Sequence, residues 1–102
     1  ARPVGPTRLD TCFGDLARDE DGNARVTLSH PDRDRRLVLW MDRSFRYVMA
    51  YTGDTVAPEE RRRRSLALEP MSCPPDALRT GEGLVTLAPG ESFKGSWGIE
   101  VH

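Results

Sequence analysis

Apolar and polar residues alternate along most of this chain with a period of two, which is the signature of strands with one covered face. In RVTLSH (25–30), Val26 and Leu28 fall on one face and Arg25, Thr27 and Ser29 on the other. PDRD follows with turn residues, and RRLVLWM (35–41) is apolar on both faces, as a strand covered on two sides would be. This pair predicts a β-hairpin. In FRYVMAYTGD (45–54), Tyr47, Met49 and Tyr51 share one face, Val48 and Ala50 the other, and TGD marks a turn. SLALE (65–69) predicts a short strand closed by Pro70. LVTLAPGE predicts another strand, running into a tight turn at Pro89 and Gly90. SFKGSWGIEV (92–101) alternates with Phe93, Trp97, Ile99 and Val101 in one parity.

Between these segments lie breakers. TVAPEERRRR (55–64) is polar and reads as a loop. PMSCPPDALRTGEG carries three prolines and predicts an irregular loop with at most one helical turn after Pro75. The best helix candidate is TCFGDLA (11–17), weakened by Gly14. Strands at short spacing with turns between them predict an all-β chain, an antiparallel β-sandwich or barrel.

Composition sharpens this picture. The 102 residues fit one small domain, but apolar residues make up only 37 % and aromatics 7 %, against 30 % charged. So small a core under so many charges predicts that apolar surface is covered by something else: the remainder of the same polypeptide or a second copy. The chain opens without Met, which points the same way, to a piece of something larger. A net charge of −1 gives no basic field of the kind that draws nucleic acid. No apolar run is long enough to span a membrane and no secretory signal opens the chain, so a cytoplasmic location is expected. Cys12 and Cys73 are then expected as buried free thiols. His30 and His102 are isolated, and there is no His/Cys cluster, so no metal is expected.

The stretch SLALEPMSCPPDA carries the most chemistry. Glu69 shares a parity with Ser65 and Ala67, while Leu66 and Leu68 point the other way. A carboxylate on a small-residue face beside a proline-bounded loop has room for a ligand. It could equally end a strand in solvent or against an arginine. Asp10 could cap a turn or a helix. Arg61 to Arg64 read as a solvated loop, since neighbours on an extended chain diverge. Trp40 and Trp97 could stack on a sugar but read as core residues of patterned strands.

Taken in order, PTRLDTCFGDL, AYTGD, LALEPMSCPPDALRTGEGL and LAPGESFKGSWGI resemble the last third of bacterial aldose 1-epimerases. The resemblance covers nearly the whole chain. It implies that residues 1–102 are the C-terminal portion of a galactose-mutarotase-like β-sandwich that interconverts the α and β anomers of free aldoses, without metal or organic cofactor. It implies a monosaccharide substrate, Glu69 as the catalytic base and Asp10 as a substrate-binding residue. Two departures stand out. Met49 occupies the position where the family often has Gln, which removes a polar sugar contact. The family's catalytic histidines match neither His30 nor His102 and are expected upstream of this chain. The alternatives are a non-catalytic carbohydrate-binding sandwich, and a hexose-phosphate mutarotase relative supported by the arginine run.

Overall fold

The computed structural model describes residues 3–102. It is nearly all β: six strands in two antiparallel three-stranded sheets, with one short 3-10 turn and one four-residue helix among the described residues. The first sheet orders β1 (Asp10–Phe13), β4 (Tyr47–Tyr51) and β5 (Ala67–Met71) side by side, with β4 central. The second orders β2 (Ala24–Ser29), β3 (Arg36–Met41) and β6 (Trp97–Val101), with β3 central. β2 and β3 form the expected hairpin, in register from Ala24 opposite Met41 to Ser29 opposite Arg36.

The two-sided apolar pattern of β3 is used as the sequence indicates. Leu39 and Met41 are buried on one face and Val38 on the other. Leu39, Met41 and Ala24 meet Val48 of β4 in the core between the sheets, and Leu16, Val26, Phe45 and Leu68 pack around them. Met41, with no exposed surface, is its centre. On the opposite face of β3, Trp40 lies across Gly98. A Cβ there would sit 2.6 Å from the indole nitrogen, so the glycine of Trp97-Gly98-Ile99 is required by packing.

Four segments depart from the sequence expectation. Residues 11–17 are not helical: Asp10–Phe13 is β1, paired from Asp10 opposite Tyr51 to Phe13 opposite Val48. Thr11, Cys12 and Phe13 suit a strand, and β4 supplies the partner that the sequence cannot show. Pro70 does not close β5 but lies within it, opposite Val48. β5 is an edge strand, where a residue without an N–H is tolerated. Leu84, Val85 and Leu87 alternate but find no strand partner and stay partly exposed, although the turn at Pro89 and Gly90 forms. Of residues 92–101 only Trp97–Val101 pair. Phe93 instead meets Phe45 edge to face, 6.4 Å between centroids.

The core is small. The radius of gyration is 15.6 Å, against about 13 Å for a compact domain of this length. Trp97, expected in the core, is 53 % exposed, Ile99 54 % and Val101 80 %. These three share the inner face of their sheet with Met41, Leu39 and Leu37, directly opposite them across β3. The interior therefore continues to the β6 edge and is uncovered there.

Candidate functional site

The outer face of the first sheet, away from the core, is where the sequence-nominated carboxylates meet. Asp10 pairs with Tyr51, which pairs with Ala67; Cys12 pairs with Met49, which pairs with Glu69. Side chains alternate along a strand, so Asp10, Cys12, Met49, Tyr51 and Glu69 all project from this one face. Val48, Ala50 and Leu68 project from the other, toward the core. Strand spacing of about 4.8 Å and a rise of about 3.4 Å per residue put the Cα atoms of Asp10 and Glu69 roughly 12 Å apart, on a diagonal across the sheet. Both are exposed. Among the described residues neither makes a side-chain hydrogen bond or an ion pair. The alternative in which Glu69 rests against an arginine is not what the chain adopts.

Each carboxylate is held by local structure. Glu69 sits in β5 immediately before Pro70, whose ring fixes φ. Asp10 follows Leu9, which is clamped to Thr52 from both backbone and side chain. The Leu9 N–H donates to Thr52 Oγ1 at 2.9 Å, and the Thr52 N–H donates to the Leu9 carbonyl at 2.9 Å. Thr52 is buried, and its hydroxyl donates to the Asp54 carboxylate. Asp54 in turn accepts from Arg63 at 2.7 Å, and Arg63 also donates to the carbonyls of Gly5 and Thr7 at 2.9 and 3.0 Å. The hydrogen bond from Thr52, the one from Arg63, and the charges of Arg63 and Arg8 hold the Asp54 carboxyl below its ordinary value.

This network gives the arginine run a structural use that the sequence does not reveal. Arg63 ties loop 55–64 to the segment leading into β1, and Arg62 donates through Nε to the Val56 carbonyl at 3.1 Å. Thr52, Asp54 and Arg63 are the residues that sequence reasoning missed. The signal for Thr52 and Asp54 was the tetrapeptide Tyr51-Thr52-Gly53-Asp54, which reads on its own as a turn, and Arg63 stood in an arginine run that reads as a solvated loop.

Beside the carboxylates the same face runs into a cavity of about 510 Å³ between β1, the start of β4 and the loops around Pro74 and Glu82. Cys12 lies in its wall. Burial pushes the Cys12 thiol up, and the neighbouring Glu82 and Cys73 add to this. Both cysteines are free, as expected, but half-buried rather than buried. His30 and His102 are not brought to this face. They sit together at one end of the second sheet, lining a separate cavity with Arg33 and Arg36, and His102 Nε2 lies 3.3 Å from Glu100. Met49 stands in the middle of the carboxylate face, between Cys12 and Glu69.

The two sheets define an all-β, sandwich-like protein. No family model matches the chain, and no solved structure matches it. It is 31 % identical over 94 residues to the uncharacterized protein YihR of Escherichia coli (strain K12). That alignment takes in 92 % of this chain but 27 % of the relative, so the chain spans about a quarter of the relative's length.

Proposed function

We propose that this chain is the C-terminal, base-bearing part of an aldose 1-epimerase. The observation that carries the reading is the pair of exposed, unpartnered carboxylates, Asp10 and Glu69, on one open sheet face. Glu69 takes the proton of the anomeric hydroxyl while an acid protonates the ring oxygen. The bond between the anomeric carbon and the ring oxygen breaks, leaving the open-chain aldehyde. Rotation exposes the other carbonyl face, and the ring closes with the two groups exchanging roles. Glu69 is exposed on the open face, where a hydroxyl can approach its carboxylate. Asp10 accepts hydrogen bonds from sugar hydroxyls and fixes the ring over Glu69.

The acid comes from histidines in a part of the polypeptide outside residues 1–102. That remainder, or a second copy, also covers Trp97, Ile99 and Val101. The proposal includes a cytoplasmic location; no helix among the described residues is long and apolar enough to cross a membrane.

Polarimetry on freshly dissolved α-glucose or α-galactose tests the reading. This chain alone should be nearly inactive, and a longer polypeptide that adds the histidines should be active. The absence of any acceleration from that longer polypeptide would overturn the proposal. The second reading, a carbohydrate-binding sandwich without turnover, is favoured by Met49, a thioether where a polar sugar contact is expected. Sugar binding without mutarotation in the longer polypeptide would select it.

A further inference from the structure

The hairpin end of the second sheet gathers positive charge. β2 brings Ser29 opposite Arg36. On the other side of β3, Arg36 and His102 exchange both backbone hydrogen bonds, at 3.1 and 2.9 Å. Residues directly opposite one another in antiparallel strands project from the same face, and Arg36 has the parity of Trp40. Ser29, Arg36 and His102 therefore form one row on the outer face of this sheet. The turn between β2 and β3 closes beside that row. The His30 N–H donates to the Arg35 carbonyl at 3.1 Å, and the Arg35 N–H to the Arg33 carbonyl at 2.7 Å. The row and the turn, with His30, Arg33, Asp34 and Arg35, line a cavity of about 430 Å³.

Among the described residues, Arg33, Arg35 and Arg36 make no ion pair and no side-chain hydrogen bond. Other arginines are committed to structure: Arg18 donates to the carbonyls of Gly22, Asp42 and Phe45 at 3.0, 3.0 and 2.6 Å, and Arg25 pairs with Asp19. Asp34 is the single side-chain carboxylate in the lining. Three arginines against one aspartate leave it at +2 with both histidines neutral, in a chain whose net charge is −1. The Asp32 N–H donates to His30 Nδ1 at 3.1 Å. In the neutral ring the proton is then on Nε2, so His30 keeps a donor. His102 is already engaged, with Nε2 3.3 Å from Glu100. The cluster is thus rich in donors and short of negative charge. Guanidinium forks match phosphate oxygens bidentately. A phosphate monoester is close to a dianion at neutral pH, because its second pKa is about 6, and it offsets the charge of the lining. The volume lies within the roughly 300–1,000 Å³ of small-ligand sites.

We propose that this cavity binds a phosphate dianion, free or carried on a small ester, through Arg33, Arg35 and Arg36, with Ser29 and His30 as further donors. It shares no residue with the carboxylate face, and the proposal does not rest on the epimerase reading. The test is isothermal titration calorimetry of the intact polypeptide that carries residues 1–102, at fixed ionic strength. The probes are inorganic phosphate, glycerol phosphate and, as a neutral control, glycerol. Both phosphates should bind at one site, and glycerol should not. Arg33→Gln and Arg36→Gln alter exposed side chains, and each should weaken binding by about tenfold, as the loss of a hydrogen bond to a charged group does. Arg61→Gln, also at an exposed position, should leave binding unchanged. Tighter binding of glycerol phosphate than of inorganic phosphate would identify an ester as the ligand. Equal or tighter binding of the inorganic ion would identify the free anion. No binding of either phosphate would overturn the site. So would an Arg61→Gln loss equal to that of Arg36→Gln, which would reduce the binding to general charge attraction.

Discussion

The two sheets have the same plan and opposite surfaces. Each places a strand from the first half of the chain at its centre and ends on an edge strand from the second half. In the first sheet, Val48, Ala50 and Leu68 turn inward, and the outward face carries Asp10, Tyr51 and Glu69 beside Cys12 and Met49. Its edge strand β5 contains Pro70, which interrupts further pairing. In the second sheet the edge is unguarded. Arg36 and His102 exchange both backbone hydrogen bonds, at 3.1 and 2.9 Å. By the antiparallel alternation, Trp97, Ile99 and Val101 therefore direct their N–H and C=O groups away from β3. The same three residues expose apolar side chains on the core side. The contrast separates two kinds of exposure. On the first sheet, polar groups face water at little cost and remain available to a ligand. On the second, apolar side chains and free backbone groups lie open together, a combination that a covering layer relieves.

The sharpest way to break this comparison is Glu69→Gln in a longer polypeptide that carries the histidines proposed above. Turnover should fall by about 10²-fold or more with the fold intact, because the proposed base is lost and the shape kept. Near-unchanged polarimetric rates would make the carboxylate face ordinary surface. Next in size is Met41→Ala, which should cost about 2–5 kcal/mol in urea unfolding. Val101→Ser, on the same inner face but at the uncovered edge, should cost less than about 0.5 kcal/mol in this chain alone. Equal losses would show that the edge is already covered.

Thr52→Val should cost about 1–3 kcal/mol, because it leaves the Leu9 N–H without its acceptor. In the active polypeptide it should also raise KM through displaced Asp10, with Thr52→Ser restoring both. Asp10→Asn should mainly raise KM, as loss of a hydroxyl contact does when kcat is untouched. The smallest effect is on acid stability. The Asp54 carboxyl is held below its ordinary value by Thr52 and Arg63. Its contribution is therefore complete above the ordinary carboxylate pKa of about 3.9 and is lost as pH falls through the lower folded value. Asp54→Asn should flatten the pH dependence of unfolding below about pH 4. An unchanged acid limb would mean that the Asp54–Arg63 contact adds nothing in solution.

Much of this was legible in the chain. Period-two alternation identified β2, β3 and β4 and their faces, because side-chain direction along a strand is local. Glu69 and Asp10 were nominated by residue order and resemblance, and parity alone set Glu69 apart from Leu66 and Leu68. Parity failed where pairing decides. Thr11 to Phe13 look weakly helical until β4 lies beside them, and Val85 and Leu87 alternate without ever finding a partner. Trp97 has the pattern of a core residue, but burial depends on what lies opposite, and nothing in residues 3–102 does.

What the sequence determined by itself was the all-β class and the alternation of faces, and it nominated the two carboxylates. Only the tertiary structure decided that Asp10 and Glu69 share a face, because the register of β1 and β5 against β4 is set by long-range hydrogen bonding. A slip of one residue on either strand would have turned its carboxylate toward the core. Tertiary structure likewise turned Arg63 from a member of a charged run into the clip on Asp54. The first outcome joins residues on separate strands, the second also fastens Arg63 to the carbonyls of Gly5 and Thr7, and no local pattern encodes such distances.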